Sequence, residues 1–338
     1  MKTITLDKPG QFSLTDTQLP TGPVTGQALV RIRRIGVCGT DLRAFTGKQP
    51  FFSYPRVLGH ELSAEVVAAE PNEFGVAPGD RCAIEPYLNC GHCIACRQGK
   101  TNCCVTLQTL GVHTDGGMRE LLTMPARKLH RSKVLTLDQL ALVEPLGIGA
   151  HAVARAQLEA GEFVLVIGAG PIGLAVIQFA SLAGVRLIVA DVSEDRLNFC
   201  RQHYQVEFTV SAQTDALAQV QDITAGDLPT AVFDATGNPD SMAKAFDFVA
   251  HGGRLIFVGL IQGDVAFHDP DFHRRELTLL SSRNSTAADF TRIISLLEAG
   301  RINADPWITH RVNFAEMIDQ FPDWLSPQAG FIKAVVEV

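Results

Sequence analysis

One stretch of the sequence constrains the fold more than any other. It begins with the apolar run EFVLVIG (162–168), continues with the glycine loop GAGPIG, and ends in the helical pattern IGLAVIQFASLAG (172–184). A glycine loop between a buried strand and a helix is the context that a dinucleotide-binding fingerprint requires. Its first glycine permits the tight turn, the second lets the backbone approach a pyrophosphate, and the third lets helix and strand pack closely. The stretch therefore predicts one unit of a parallel sheet that binds a dinucleotide at a helix N-terminus.

An acidic residue follows at the end of the next apolar segment. RLIVAD (186–191) predicts a second buried strand, and its last residue, Asp191, stands 18 residues after Gly173. A carboxylate in this position accepts hydrogen bonds from ribose hydroxyls and repels a 2′-phosphate, which favours NAD over NADP. Arg196 lies nearby and weakens this preference, because an arginine can hold that phosphate. The predicted cofactor-binding residues are Gly168, Gly170, Pro171, Ile172, Gly173, Asp191, Arg196, Val258 and Gly259.

The segments around this unit alternate between strand and helix patterns. TAVFDATG (230–237), RLIFVGL (254–260) and ELTLLSSR (276–283) predict further buried strands, with helical patterns between several of them. Such alternation is typical of a parallel sheet covered on both faces. The first part of the chain instead contains short strands broken by Gly and Pro, which predicts a β-rich, barrel-like domain. The final FIKAVVEV (331–338) predicts a strand that returns to this first domain.

Length and charge limit the class of protein. A chain of 338 residues is too long for one ordinary core, and two domains are expected. Its net charge of −7 leaves no basic face of the kind that a general nucleic-acid binder needs. The N-terminal MKTITLDKPGQF lacks the apolar centre of a signal peptide, and no run of 18 apolar residues predicts a membrane span. We therefore expect a cytoplasmic protein with reduced thiols and without nucleic-acid or membrane partners.

Five of the eight cysteines fall within CGHCIACRQGKTNCC (90–104). Intervals of two, two and seven residues separate the set Cys90, Cys93, Cys96 and Cys104. Four thiolates at tetrahedral distance make a closed, structural Zn²⁺ site. The spacing by itself leaves two questions open, because Cys103 competes with Cys104 for the fourth position and an iron–sulfur cluster competes with zinc.

A second set of metal-ligand side chains is spread along the chain. Cys38 lies in GVCGTD, His60 and Glu61 lie in VLGHE, and Glu144 lies in VEPLG. One cysteine, one histidine and one or two glutamates make a mixed set, which suits a Zn²⁺ site with a position left open for water or substrate. Each residue alone is more often explained by packing. Their combination, taken together with the family resemblance given next, predicts a catalytic metal site.

Together these motifs resemble those of the zinc-containing medium-chain dehydrogenases, and the resemblance runs nearly from end to end. It implies an α/β fold with a GroES-like β-barrel catalytic domain that carries both zinc ions and a Rossmann doubly wound parallel sheet that binds NAD. The catalytic domain is expected over residues 1–147, the Rossmann domain over 148–283, and a return to the catalytic domain over 284–338.

The resemblance also implies roles for single residues. Cys38 and His60 match ligands of the catalytic zinc, and the family spacing favours Cys104 over Cys103 at the structural zinc. Glu144 stands where sorbitol- and threonine-type dehydrogenases have their third ligand, whereas Glu61 is a ligand in some members and lies behind the ligands in others. The complete metal set is Cys38, His60, Glu61, Glu144, Cys90, Cys93, Cys96 and Cys104.

The implied reaction is the NAD-dependent oxidation of a secondary alcohol. Thr40 resembles the hydroxyl that takes the alcohol proton, and Glu61 is a further catalytic candidate. Several relatives have a histidine where this chain has Arg43. Because an arginine stays protonated, protons must leave by another route, or else Arg43 recognises a carboxylate. Arg283 matches a position that contacts substrate in sorbitol dehydrogenases and is the second candidate for a carboxylate.

The substrate stays open within that reaction. QPFFSYPRVLGHE (49–61) and SSRN (281–284) look most like bacterial sugar-acid dehydrogenases, which implies a hexonate such as L-galactonate or L-idonate. Threonine and sorbitol are the alternatives, and a dinucleotide-binding protein without catalysis is the alternative from another class. Relatives imply a homodimer or homotetramer. Three aromatic residues are expected either to wall the pocket or, more often, to pack in the core: Phe51, Phe52 and Tyr54. The run 273–275 (HRR) predicts a solvated turn.

Overall fold

The computed structural model describes residues 1–50, 52–326 and 330–338 and contains two compact units. Unit 1 comprises Met1–Glu144 together with Thr286–Val338, and unit 2 is the intervening Pro145–Ser285. The divisions observed after residues 144 and 285 lie three and two residues from those predicted after 147 and 283. Within the described ranges, no helix combines the length and the apolar character needed to cross a bilayer.

The described residues form seventeen strands and eleven α-helices. The strands are β1 (Lys2–Lys8), β2 (Gln11–Asp16), β3 (Gln27–Gly36), β4 (Glu61–Ala69), β5 (Arg81–Ile84), β6 (Tyr87–Leu88), β7 (Gln108–Thr109), β8 (Leu121–Pro125), β9 (Leu129–Arg131), β10 (Phe163–Ile167), β11 (Arg186–Asp191), β12 (Phe208–Ser211), β13 (Ala231–Asp234), β14 (Arg254–Phe257), β15 (Thr278–Ser281), β16 (Ile308–Asn313) and β17 (Lys333–Glu337). The helices are α1 (Gly39–Phe45), α2 (Ile94–Arg97), α3 (Leu137–Ala141), α4 (Val143–Ala156), α5 (Pro171–Ser181), α6 (Glu194–Tyr204), α7 (Ala216–Ile223), α8 (Pro239–Lys244), α9 (Asp269–Arg274), α10 (Ala287–Glu298) and α11 (Met317–Gln320).

Unit 1 is built around a mixed seven-stranded sheet in the order β16-β17-β3-β4-β5-β9, with β8 paired to β3. Along β3, the fully buried Val30 and Ile32 flank the exposed Arg31, so one face of the strand lies against the core. Each fully buried aliphatic side chain of this kind stabilises the fold by about 1.5–3 kcal/mol. β17 runs antiparallel to β3, with Val335 opposite Gly36, and so brings the end of the chain back to unit 1.

Unit 2 contains six parallel strands in the order β12-β11-β10-β13-β14-β15. The central strand β10 has Val164, Leu165 and Val166 fully buried, as expected for a parallel sheet covered on both faces. The chain order reverses between β10 and β13. Ligands of such sheets bind beyond the carboxyl ends of the strands at this reversal, which is where the glycine loop lies.

The prediction for residues 273–275 is wrong in one respect. Arg275 is only 8% exposed, and its Nη1 donates hydrogen bonds to the carbonyls of Phe246 at 2.9 Å and Val249 at 3.1 Å. A guanidinium group tolerates burial when backbone carbonyls accept its hydrogen bonds. The charge pattern predicts a surface turn because these carbonyls lie 29 and 26 residues earlier in the chain, which the local sequence does not reveal.

The two described aromatic residues of the predicted set before the VLGHE motif are half-buried. Phe52 and Tyr54 pack against the hydrophobic core of unit 1, with their ring centroids 4.9 Å apart. The hydroxyl of Tyr54 donates a hydrogen bond to the carbonyl of Ala44. Phe51, the third residue of the predicted set, lies outside the described residues.

Candidate active site

The end of β3 and the start of α1 position Cys38. α1 begins directly after this residue, and the backbone N–H of Cys38 donates a hydrogen bond to Asp41 Oδ2 at 2.9 Å. An acidic side chain in the first turn that binds the preceding N–H stabilises a helix start. The short helix therefore holds Cys38 just beyond the carboxyl end of β3, which is a central strand of the sheet of unit 1.

The loop before β4 and its first residue supply His60 and Glu61. Both are buried, and Glu61 pairs with Gly36 of β3 across the sheet. A Cβ atom at Gly36 would lie 2.2 Å from Glu61 Oε2, so only glycine leaves room for this carboxylate. One ligand atom from each of Cys38, His60 and Glu61 lies within 4.8 Å of the others. Metal-ligand side chains from two segments more than twenty residues apart in sequence thus meet at one point, and we call Cys38, His60 and Glu61 the mixed donor cluster.

A second carboxylate lies behind His60. His60 Nδ1 and Asp41 Oδ1 are 3.8 Å apart, which is too long for a hydrogen bond. Both atoms are buried without a hydrogen-bond partner among the described residues. A histidine that ligates a metal ion commonly turns its other ring nitrogen towards a carboxylate, which fixes the ring orientation. The unpartnered pair of atoms fits this role.

Lys333 of β17 holds Glu61 from the other side. Its Nζ donates to Glu61 Oε1 at 2.6 Å, to Glu61 Oε2 at 2.7 Å and to the carbonyl of Val37 at 3.1 Å. The side chains of the ion pair are only 2% and 1% exposed. Burial alone would lower the pKa of Lys333, but the charges of Glu61 and Cys38 outweigh it and raise this pKa.

A hydrogen bond from Tyr87 restrains Glu144. The hydroxyl of Tyr87, on β6, donates to Glu144 Oε1, and both residues are buried. Burial raises the pKa of Glu144 to about 7; the nearby Glu61 carboxylate adds to this rise, whereas a charged His60 opposes it. Glu144 does not belong to the group of described residues whose ligand atoms meet within 4.8 Å.

The pKa shifts around the mixed donor cluster share one direction. The pKa of His60 is well above its usual value, because Asp41 and Cys38 outweigh the opposing effect of burial. Burial raises the pKa of Asp41, as it does that of Glu144. Burial is the main cause of the rise for the two carboxyl groups, and nearby anions cause that of His60. The buried carboxylates of Asp41, Glu61 and Glu144 lie beside one buried lysine, Lys333, so the ionised site carries surplus negative charge. A divalent cation would satisfy the same demand, and sulfur, nitrogen and carboxylate donors are those that Zn²⁺ takes at open sites.

The cysteine loop forms a separate and denser cluster. The sulfur atoms of Cys90, Cys93, Cys96 and Cys104 lie within 4.8 Å of one another. The sulfurs of Cys90 and Cys96 are 4.0 Å apart, close to the spacing of about 3.8 Å that tetrahedral Zn–S bonds of 2.3 Å produce. Cys104 is buried, whereas the neighbouring Cys103 is exposed and lies outside the group. The geometry therefore fits a closed tetrathiolate zinc site.

Backbone N–H groups and polar side chains also face these sulfurs. Cys90 N–H donates to the Cys104 sulfur at 3.3 Å, and Cys93 N–H donates to the Cys90 sulfur at 3.4 Å. Asn89 Nδ2 approaches the Cys96 sulfur at 3.6 Å, and Arg127 donates to Asn89 Oδ1 at 2.9 Å. Donors of this kind stabilise thiolates, which are the form that binds metal.

The glycine loop of unit 2 borders a cavity of about 840 Å³. A Cβ atom at Gly173 would lie 1.8 Å from the carbonyl oxygen of Gly168, so the close packing of α5 on the loop requires glycine there. Asp191 Oδ2 accepts the backbone N–H of Ala169 at 2.6 Å, and Oδ1 accepts that of Ser193 at 2.8 Å. The predicted residues that line this cavity are Gly168, Gly170, Asp191 and Arg196.

Other predicted cofactor residues lie at the same edge of the sheet without lining the cavity. Pro171 begins α5, directly after Gly170, and Ile172 and Gly173 follow it within the helix. The N–H groups of Val258 and Gly259 donate to the carbonyl of Asp234, at 2.9 and 3.0 Å. These residues therefore shape the loops around the cavity.

The three residues predicted to act on the substrate lie outside the mixed donor cluster. Thr40 is half-buried in the first turn of α1, and Arg43 is exposed in its last turn. Arg283 is exposed in the segment that follows β15 in unit 2. Three further residues contact the predicted ligands and were not predicted: Asp41, Tyr87 and Lys333. A signal existed for Lys333 alone, because it is a single charge within the otherwise apolar start of the strand FIKAVV.

Family comparisons agree with this geometry. Residues 24–134 match the family model of the alcohol dehydrogenase GroES-like domain, and residues 171–299 match that of the zinc-binding dehydrogenase. The chain therefore belongs to the zinc-containing medium-chain dehydrogenases and is an oxidoreductase, which confirms the predicted family and fold class.

Individual relatives show which dehydrogenases this chain is similar to. The L-galactonate-5-dehydrogenase of Escherichia coli K12 is 38% identical over 336 residues, which cover 99% of this chain and 98% of that protein. A solved alcohol dehydrogenase, RspB of Escherichia coli CFT073 in complex with NADH, has a TM-score of 0.93 and 29% identity and covers 100% of this chain and 99% of its own. A protein assigned as a zinc-binding dehydrogenase, from Sinorhizobium meliloti 1021 and bound to NADP, has a TM-score of 0.88 and 28% identity, with coverage of 100% and 99%.

Proposed function

We propose that the protein transfers a hydride from a secondary alcohol of a sugar acid or polyol to NAD, with a hexonate such as L-galactonate or L-idonate as its substrate. The observation that carries this proposal is the buried mixed donor cluster with its surplus negative charge, in a chain 38% identical to an L-galactonate-5-dehydrogenase. The relative supports the choice of hexonate, and the cluster supports the chemistry.

The residues of unit 1 divide the work. Cys38, His60 and Glu61 would hold the catalytic ion, and Glu144, held by Tyr87, would face the position left for substrate. When bound, zinc supplies the positive charge that makes an alcohol easier to deprotonate, and the nicotinamide accepts the hydride. The hydroxyl of Thr40 would take the alcohol proton. Arg43 cannot pass that proton on, because a guanidinium does not release its own.

The direct test is a spectrophotometric screen of hexonates, polyols and threonine with NAD⁺ and NADP⁺. We expect NADH formation with L-galactonate or L-idonate at a kcat/KM well above that for sorbitol or threonine. Zinc analysis of the same preparation should find two ions per chain. Activity on threonine alone would replace the substrate proposal, and a purified, zinc-loaded protein without activity on any of these alcohols would favour the non-catalytic alternative.

The carboxylate of the substrate is the target of a second test. We expect Arg43→Ala or Arg283→Ala to raise the KM for the hexonate about tenfold or more, since a charged hydrogen bond contributes about 1.5–3 kcal/mol. The KM for an uncharged polyol should stay near its original value. Arg31→Ala, at an exposed position on β3, is the matched control. Equal effects on charged and uncharged substrates would refute carboxylate recognition by these residues.

The cofactor preference depends on Asp191. Its two backbone hydrogen bonds fix the carboxylate at the cavity, where it would accept the ribose hydroxyls and repel a 2′-phosphate. We expect Asp191→Asn to improve the ratio of NADP⁺ to NAD⁺ use by about tenfold or more, because the repulsion is removed. Asp195→Asn, an exposed change in the first turn of α6, should leave the ratio unchanged.

We also propose a cytoplasmic location and a homodimer or homotetramer. None of the eight cysteines, all of which lie in the described residues, forms a disulfide, which suits a reducing compartment. Light scattering on the purified protein tests the assembly, and a monomer at micromolar concentration would contradict it.

A further inference from the structure

Lys333 lies where the strands that carry the mixed donor cluster meet the last strand of the chain. β17 pairs with β3 so that the backbone N–H of Val37 donates to the carbonyl of Ala334 at 2.9 Å. This register places Lys333 beside Val37, the residue before Cys38, and opposite Glu61. Lys333 therefore contacts both segments that supply donors.

The ammonium group is saturated by these contacts. It has three N–H donors, and the three acceptors are the two oxygens of Glu61 and the carbonyl oxygen of Val37. It reaches no solvent that could compensate its charge, since the side chain is 2% exposed. Its charge is consequently matched by the Glu61 carboxylate.

Glu61 faces two sites for positive charge at once. Its carboxylate binds the ammonium group of Lys333 through both oxygens, and one of these oxygens also lies within 4.8 Å of the Cys38 and His60 ligand atoms. Glu144, by contrast, is held by the neutral hydroxyl of Tyr87. The two glutamates of the site are therefore unequal, and only Glu61 has a cation of the chain itself as its partner.

We propose that Lys333 is a positioning residue that competes with the catalytic metal ion for Glu61 and so keeps this ligand weakly bound and exchangeable. A buried carboxylate needs a compensating positive charge. Lys333 supplies it when the ion is absent, and this lowers the gain in free energy when the ion binds. Without Lys333 the ion alone compensates Glu61, so the ion should bind more tightly. The inference rests on the proposed metal role of Cys38, His60 and Glu61.

The test is the zinc affinity of the full-length protein, measured by competition with a chromogenic chelator of known affinity. The catalytic ion is identified as the one missing from His60→Ala. We expect Lys333→Met to bind this ion at least about tenfold more tightly than the unsubstituted protein. Lys333→Arg keeps the charge and should stay within about twofold. An affinity for Lys333→Met that is equal or weaker overturns the inference, because a lysine that merely supports Glu61 would give that result.

A second variant covers the case in which Lys333→Met fails to fold. Lys333→Gln keeps a neutral donor for Glu61, and zinc should raise its unfolding temperature by more than it raises that of the unsubstituted protein. An equal or smaller rise overturns the inference. The proposed function fails separately: if the unsubstituted protein binds only the ion of the cysteine loop, then Cys38, His60 and Glu61 do not form a metal site.

Discussion

The two donor clusters of unit 1 differ in how they are built. The four cysteines of the loop fall within fifteen residues, and three of them are only half-buried. The mixed donor cluster draws on residues 38, 60 and 61, is surrounded by 41, 144 and 333, and contains His60 and Glu61 in buried positions. A metal ion would therefore hold the short segment of the loop together, whereas the mixed donor cluster is held by the sheet and leaves an excess of buried negative charge. The first arrangement suits structure, and the second suits catalysis.

The largest effect is expected from His60→Ala. Loss of this ligand should lower kcat/KM by about 10³-fold or more, because the metal contributes several kcal/mol to the reaction. The protein should keep the zinc of the cysteine loop and hold one ion per chain instead of two. His92→Ala removes an exposed imidazole within the cysteine loop and should change neither activity nor zinc content. Full activity in His60→Ala would contradict a catalytic role for the mixed donor cluster.

Cys93→Ser should have the opposite profile. Loss of the structural zinc is expected to lower the unfolding temperature by about 10 °C or more, since a structural metal contributes directly to folding. The kcat of the protein that stays folded, measured at low temperature, should remain within a few-fold of its original value. Cys103→Ser is the matched control, because Cys103 is exposed and lies outside the sulfur group. A loss of activity without a loss of stability would contradict the structural role.

The cluster formed by one short segment is predicted from the sequence better than the cluster formed by distant segments. The cysteine loop is local, so its spacing predicts its four sulfurs, and RLIVAD likewise predicts β11 at the residues where it occurs. The ligands Cys38, His60 and Glu61 were named largely because their motifs resemble a family. Tyr87 has no local signal, because its hydrogen bond joins residues 57 positions apart. For Lys333, whose partner Glu61 is 272 positions away, the signal is a lone charge in an apolar strand. Asp41 lies within the GVCGTD motif, but its approach to His60 is not visible there.

The same reasoning explains the outcome for Arg275. A basic run predicts solvent exposure, yet Arg275 is buried, because the carboxylate of Asp271 and the carbonyls of Phe246 and Val249 accept its hydrogen bonds. Backbone acceptors are not encoded by residue type. Sequence patterns therefore predict which segments form strands, helices and local metal loops better than they predict which charges become buried.

Tyr87→Phe tests the connection between the two clusters. Tyr87 lies two residues before Asn89 and three before Cys90, yet its hydroxyl donates to Glu144 beside the mixed cluster. We expect kcat to fall about tenfold, because a buried hydrogen bond to a charged group contributes about 1.5–3 kcal/mol, while both zinc ions are retained. Tyr54→Phe removes a hydroxyl that donates to a backbone carbonyl and is the matched control. Equal kcat values in the two variants would show that the hydrogen bond from Tyr87 to Glu144 does not contribute to catalysis.

A smaller effect is expected at the sulfur of Cys96. Asn89→Ala removes the side-chain donor to this thiolate and should weaken zinc binding in the cysteine loop by about tenfold. This is the low end of the loss in affinity expected when a residue that hydrogen-bonds to a metal ligand is removed. Activity should not change, which separates this variant from Tyr87→Phe. Gln98→Ala, at an exposed position of the same loop, serves as the control for chelator competition. An unchanged zinc affinity would mean that the backbone N–H groups stabilise the thiolates without Asn89.

The smallest effect is expected at an ion pair outside both clusters. Asp138 accepts from Arg34 at 2.8 Å and from Arg311 at 2.7 Å. Burial alone would raise the pKa of Asp138, but the two guanidinium groups outweigh it and hold this pKa below its usual range. A lowered folded-state pKa means that the carboxylate stabilises the fold above its unfolded pKa of about 3.9, and that this contribution is lost as the pH falls further.

Asp138→Asn should therefore reduce the free energy of unfolding by about 1 kcal/mol or less at pH 7, given the partial exposure of these side chains. The difference from the unsubstituted protein should shrink as the pH is lowered from about 5 towards 3 in urea titrations. Asp16→Asn, which affects the exposed pair with Lys2, should show a smaller difference throughout. The folded-state pKa of Asp138, in an ordinary ion pair, is lowered, whereas that of Glu144, beside the surplus negative charge of the mixed donor cluster, is raised. A destabilisation by Asp138→Asn that grew towards acid would contradict this contrast.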